Sequence, residues 1–178
     1  MRALDQLFFG LRQQGEKALI TFVTAGDPSI EELPEILGAL AEGGADAIEI
    51  GIPFSDPIAD GPTIQASSQR SLDRGITLDQ VFGAIEKFHI AMPGHPPLIL
   101  MGYVNPMLRI GFEAFAEKAA RVGASGVIVC DLIPNEAASW IAAAQKANLD
   151  TIWLAAPTST DARLSLIAEA STGFIYAV

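Results

Sequence analysis

At 178 residues the chain has the length of one domain, and with 50% apolar and only 18% charged residues it is excluded from the disordered class. Eleven Lys and Arg against 21 Asp and Glu leave a net charge of −10, which argues against binding nucleic-acid phosphates. A small phosphorylated ligand stays open, because backbone N–H groups hold one without a basic chain.

In chain order, Leu4, Leu7, Phe8 and Leu11 recur at helical spacing and predict a short amphipathic N-terminal helix. That segment lacks a continuous apolar stretch and a small-residue cleavage site, so it does not read as a signal peptide. A strand is predicted at Leu19–Val23, a helix at Ile30–Leu40, a strand at Ala47–Ile50 and a helix opening at Thr63. A helix over Leu78–Phe88, a strand over Leu98–Met101, a helix over Phe112–Val122 and a strand over Gly126–Val129 follow. The last elements are a helix at Asn135–Ala147, a strand at Thr151–Leu154, a helix at Asp161–Ala170 and a strand at Phe174–Val178. No apolar run reaches the roughly 18 residues of a membrane span, and the single cysteine, Cys130, fits a reducing compartment. Together these predict a cytoplasmic protein with no membrane association.

Strands alternating with helices imply βαβ units and a parallel sheet, and the near-continuous apolar strands suit burial on both faces. Glu42–Ile50 (EGGADAIEI) and Arg121–Val129 (RVGASGVIV) repeat at an offset of 79 residues, as when one supersecondary unit is reused. The first strand runs into VTAGDPS with a single glycine, which lowers a dinucleotide-binding reading that would need G-x-G-x-x-G. A (βα)8 TIM barrel usually takes about 250 residues. Residues 1–178 therefore read as a single domain, the first six strands of such a barrel and their helices.

The densest chemistry lies in Ile48–Gln65 (IEIGIPFSDPIADGPTIQ). Strand alternation turns Glu49 away from Ile48 and Ile50, towards the interior of a barrel. A carboxylate there needs a hydrogen bond, a cavity or a proton, and its residues alone leave a general acid/base and a structurally satisfied Glu equally open. Pro53, Pro57 and Pro62 stiffen the following loop, which leaves a strand's C-terminal end, where barrel active sites are built. By residue type Asp60 reads as an Asx turn or helix N-cap, and Asp56 as a turn starter or partner-facing group. Phe22 reads as core, Tyr103 and Asn105 as the rim after the third strand, Asp131 as the rim after the fourth, Cys130 as a small buried apolar residue, and Tyr176 as barrel wall. His89 and His95 lie in the helix-to-strand connection FHIAMPGHPP, away from this loop, and no Cys or His spacing suits zinc, so no metal is expected.

Leu19–Pro28 (LITFVTAGDP) and Ala45–Gln65 (ADAIEIGIPFSDPIADGPTIQ), with GYVNPML at Gly102–Leu108, VGASGVIVCDL at Val122–Leu132 and GFIYAV at Gly173–Val178, resemble the tryptophan synthase α subunit family over essentially the whole chain. The resemblance implies a retro-aldol lyase that cleaves indole-3-glycerol phosphate to indole and glyceraldehyde 3-phosphate without a cofactor. It also implies a partner β subunit, which carries pyridoxal phosphate, in an αββα tetramer. Carried over, Glu49 is the catalytic acid/base and Asp60 the carboxylate beside the indole N–H, against the type-based reading of Asp60. Phe22, Tyr103 and Tyr176 line the indole pocket; Pro53, Asp56, Asn105 and Pro134 face the partner. Ile133 stands where the family has proline, with Pro134 one place later. The family's lid, strands seven and eight and phosphate site have no counterpart in the 178 residues. Two rival readings are a non-catalytic fragment that binds and activates the β subunit, and a related barrel isomerase with no role for Asp60.

Overall fold

The computed structural model describes residues 1–178. Six strands, β1 (Ile20–Thr24), β2 (Ala47–Gly51), β3 (Leu98–Gly102), β4 (Ala124–Val129), β5 (Asp150–Ala155) and β6 (Ile175–Ala177), lie side by side in chain order. All five pairings are parallel, as βαβ connections require. The helices are α1 (Ala3–Gln14), α2 (Leu33–Glu42), α3 (Pro62–Asp73), α4 (Leu78–Ala91), α5 (Val104–Ile110), α6 (Phe112–Arg121), α7 (Ala138–Lys146) and α8 (Asp161–Ala170). The result is an open arc of a barrel, with β1 and β6 at its ends.

Strand alternation divides the apolar residues between two cores. Ile48, Ile50, Leu98, Leu100, Val127, Val129 and Trp153 turn outward into a large cluster with the helices, centred on Phe82, Phe115 and Trp140. Each fully buried aliphatic side chain there contributes roughly 1.5–3 kcal/mol. Ala47, Ile99, Ile128 and Ile152 turn inward and form a second cluster. Leu4 of α1, with Leu7 and Phe8 packed nearby, closes the inner cluster at the strands' N-terminal end. The amphipathic face read from the sequence is therefore the barrel's plug. It is fastened by Arg2, whose guanidinium meets the wholly buried Asp150 carboxylate at 3.0 Å.

Four expectations need correction. The rim after β3 is helical: Asn105 lies in α5, begun by the 2.8 Å bond from the Val104 N–H to the Asp131 carboxylate. The helix expected from Ile30 begins at Leu33. The helix expected over Asn135–Ala147 is a 3₁₀ turn, Pro134–Glu136, followed by α7. His89 belongs to the last turn of α4 rather than to a connection, and its Nδ1 lies 2.8 Å from Nε2 of His95. Helix α3 shows little apolar periodicity because its buried face is hydroxylated. Ser67, Ser68 and Ser71 are buried, with Ser67 2.6 Å from Thr24 Oγ1 and Ser71 donating to the Ala25 carbonyl at 2.7 Å. Small side chains that satisfy their own polar atoms let α3 sit close on β1. In β4, Ser125 is skipped in the pairing with β3, a bulge that carries the strand back to Ala124.

Candidate active site

Glu49 sits in the middle of β2, paired in register with Phe22 on one side and Ile99 on the other. It is 5% exposed, while its neighbours Ile48 and Ile50 are fully buried in the outer layer. The inward orientation inferred from alternation is therefore found. Burial without a compensating partner lifts its carboxyl from 4.5 to about 7. Such a group gives and takes protons with comparable ease near neutral pH.

The loop from β2 to α3 brings a second carboxylate to the same end of the arc. Two tight turns shape it: the Ile58 N–H donates to the Asp56 carbonyl at 2.8 Å and the Asp60 N–H to the Pro57 carbonyl at 3.0 Å. Gly61, not Asp60, holds the N-cap position of α3 in extended conformation, with Pro62 opening the helix. The N-cap reading of Asp60 is thus incorrect, because the helix opens at Pro62 and the residue before it, Gly61, takes the cap position, leaving Asp60 one residue too early. The Asp60 side chain instead turns to the inner face, where burial raises its carboxyl and the Tyr103 hydroxyl draws it back down.

Tyr103 holds this loop from the next strand. It is 3% exposed, its hydroxyl oxygen accepts the Ala59 N–H at 3.0 Å, and its ring stacks on Phe54 with centroids 5.0 Å apart. Phe22, Gly51, Asp60, Ile64, Tyr103 and Cys130 line a narrow cavity at the strand ends. Gly51 is required by the close approach of Phe22, since a Cβ there would lie 2.6 Å from the ring's Cζ. Tyr176 on β6 packs against the inner cluster, and burial first, then the Glu49 and Asp60 carboxylates, raises its phenol. Burial and the same carboxylates push the Cys130 thiol up to about 12, so it stays neutral and is no nucleophile, as its residue type suggested.

The four partner-facing candidates fall in three places. Pro53 and Asn105 share a cavity of about 620 Å³ on the outer side of the rim, between the β2 loop, the start of α4 and α5. Asp56 is exposed on the loop, where it accepts a 2.6 Å hydrogen bond from Ser55. Pro134 lines a different cavity, about 440 Å³, with Cys130 and Trp153. No three His, Cys, Asp or Glu side chains converge as a metal site would require.

The family profile described as tryptophan synthase alpha chain matches residues 8–178. The chain belongs to the tryptophan synthase alpha chain family. It is 47% identical to the tryptophan synthase alpha chain of Burkholderia lata and 48% identical to that of Burkholderia multivorans, in each case over 100% of this chain and 65% of the relative. It thus spans about two thirds of the length of these relatives. The crystal structure of tryptophan synthase subunit alpha from Legionella pneumophila superposes with a TM-score of 0.95 at 38% identity, covering 100% of this chain and 68% of that one. A chain of ligand-free tryptophan synthase from Mycobacterium tuberculosis gives 0.94 at 41% identity, covering 99% and 70%. The arc of six strands is accordingly the barrel of a tryptophan synthase alpha chain, seen over its first six units.

Two aspartates at the strand ends make contacts that no local sequence pattern encodes. Asp131 was singled out only by position, whereas its carboxylate serves α5 from another loop, a contact 27 residues distant that no local pattern encodes. Asp27, whose place before Pro28 suggests only a turn, receives Arg70 at 3.0 and 2.6 Å and ties the β1 loop to α3. The only sequence signal for that bond is an acid followed much later by a base.

Proposed function

We propose that the protein is the lyase subunit of tryptophan synthase, cleaving indole-3-glycerol phosphate to indole and glyceraldehyde 3-phosphate, with Glu49 as acid/base and Asp60 as charge stabiliser. The carrying observation is Glu49, a carboxylic acid lifted to about 7 by burial alone on the barrel's inner face. Protonated Glu49 delivers its proton to indole C3, which turns the ring into an indolenine with positive charge at nitrogen. The Asp60 carboxylate stabilises that charge in a water-poor cavity. The Glu49 carboxylate so formed takes the proton of the hydroxyl next to the ring. The bond from that carbon to indole C3 then breaks, the oxygen becomes an aldehyde, and the electron pair restores the aromatic indole. Glu49 ends protonated, as it began, so no cofactor is consumed.

Phe22, Tyr103 and Tyr176 supply the walls for the ring. Pro53 and Asn105, with Asp56 beside them and Pro134 further along the rim, form the face for a β subunit holding pyridoxal phosphate, in an αββα assembly. Residues 1–178 act within one barrel domain of a cytoplasmic protein; no helix is long and apolar enough to cross a membrane. The test is release of glyceraldehyde 3-phosphate from indole-3-glycerol phosphate, followed by a coupled dehydrogenase, with and without β subunit. Cleavage that Glu49→Gln abolishes supports the lyase. Stimulation of serine-plus-indole condensation without cleavage overturns it in favour of a docking role alone.

A further inference from the structure

Two walls of the narrow cavity at the strand ends have free space behind them. The cavity itself holds about 10 Å³, room for about one water molecule. A group added to a ring bound there must therefore take its space from beyond a wall. Ile52 backs onto the outer rim cavity of about 620 Å³, but its branched side chain is 6% exposed and belongs to the outer core. Cys130 backs onto the cavity of about 440 Å³. It is the smaller side chain, and it packs only against the edge of the inner cluster. The space behind it suits an apolar group. Leu132, Trp153, Leu154 and Ile167 line that space, and Trp153 donates its indole N–H to the Ala170 carbonyl at 3.0 Å, so it offers only its ring. The Cys130 backbone is fixed, its N–H donating to the Gly102 carbonyl at 2.9 Å, and its thiol stays neutral. A single small apolar side chain at the end of β4 thus stands between the two spaces.

We propose that Cys130 is a specificity-determining residue: its side chain is the partition that confines the indole ring to the narrow cavity and excludes substrates carrying apolar groups on the six-membered ring. This deepens the reading of that cavity as the indole pocket and rests on it. An added methyl group meets the Cys130 side chain in the unaltered protein. With the sulfur removed, the same group passes into the apolar space beside Trp153 and Leu154.

The test compares kcat/KM for indole-3-glycerol phosphate with that for analogues methylated at each free carbon of the six-membered ring. Cys130→Ala raises the ratio of methylated to parent substrate by about 10-fold or more at one ring position at least, the low end of what one carbon is worth in an apolar pocket. Ile52→Val, which trims the other wall, does not. Ratios that stay unchanged in Cys130→Ala at every position, or that Ile52→Val raises equally, overturn the proposal. The same preferences are read without turnover, from calorimetric Kd values of indole and the methylindoles for the full chain. Because Cys130 is the only cysteine, one readout needs no variant: saturating indole slows modification of the unaltered protein by methyl methanethiosulfonate. Unslowed modification shows that the thiol does not face the ring, and overturns the proposal. Indole binding with the expected preferences but no cleavage refutes the lyase reading and leaves the partition standing. Failure to bind any indole refutes the pocket and the proposal together.

Discussion

Replacing Glu49 by Gln removes a charge, keeps the volume and separates the cost of the site from its use. The carboxyl ionises near 4.5 in its ordinary state and near 7 in the fold. Below the lower value both folded and unfolded chains hold the proton, and burial of the acid costs no electrostatic energy. Between the two values the unfolded chain ionises while the folded chain does not. Above the higher value both are ionised, and the folded state carries the whole desolvation cost, about 3 kcal/mol at roughly 1.4 kcal/mol per tenfold. Native stability therefore declines as pH rises through this window, the reverse of a salt-bridged carboxylate. Glu49→Gln escapes that cost, so its stability advantage over the unaltered protein widens by about 2 kcal/mol between about pH 5.5 and 8. Urea denaturation at the two pH values measures it. In the same samples cleavage of indole-3-glycerol phosphate falls by at least the 10²–10⁴-fold typical of a lost general acid/base. A stability difference that stays flat with pH would show that Glu49 is solvated or paired, and would remove the basis for its proton transfer.

Arg2→Ala leaves the buried Asp150 carboxylate without its cation. Stability should drop by about 3 kcal/mol in urea denaturation, and adding Asp150→Asn should restore part of it; a loss under about 1 kcal/mol would show the pair to be incidental to the plug. Gly51→Ala drives a methyl into Phe22, 2.6 Å from Cζ. Relieving that clash moves the ring by roughly 1 Å, which costs up to about 100-fold in kcat/KM with an unchanged circular dichroism spectrum, and undiminished turnover would count against Phe22 as a wall of the proposed indole pocket.

The strand–helix alternation, the parallel sheet and the inward side of Glu49 are legible in the residues alone. Each follows from a local rule: apolar period for the elements, and the two-residue pleat for the side-chain direction. Element ends were less legible where polar groups replace apolar ones, as in α3, whose buried face is serine, or where a partner is remote, as for α5 and Asp131. Residue type even misled at Asp60, a good capping residue that caps nothing because Gly61 and Pro62 begin the helix. Tertiary structure alone decided which loops meet at the rim, that Tyr103 reaches Ala59 across 44 residues, and that Pro53 and Asn105 share one cavity while Pro134 lines another. The acidity of Glu49 belongs to that second class. A glutamate's pKa is set by how much water and charge surround it in three dimensions, and those surroundings come from strands and loops far apart in the chain.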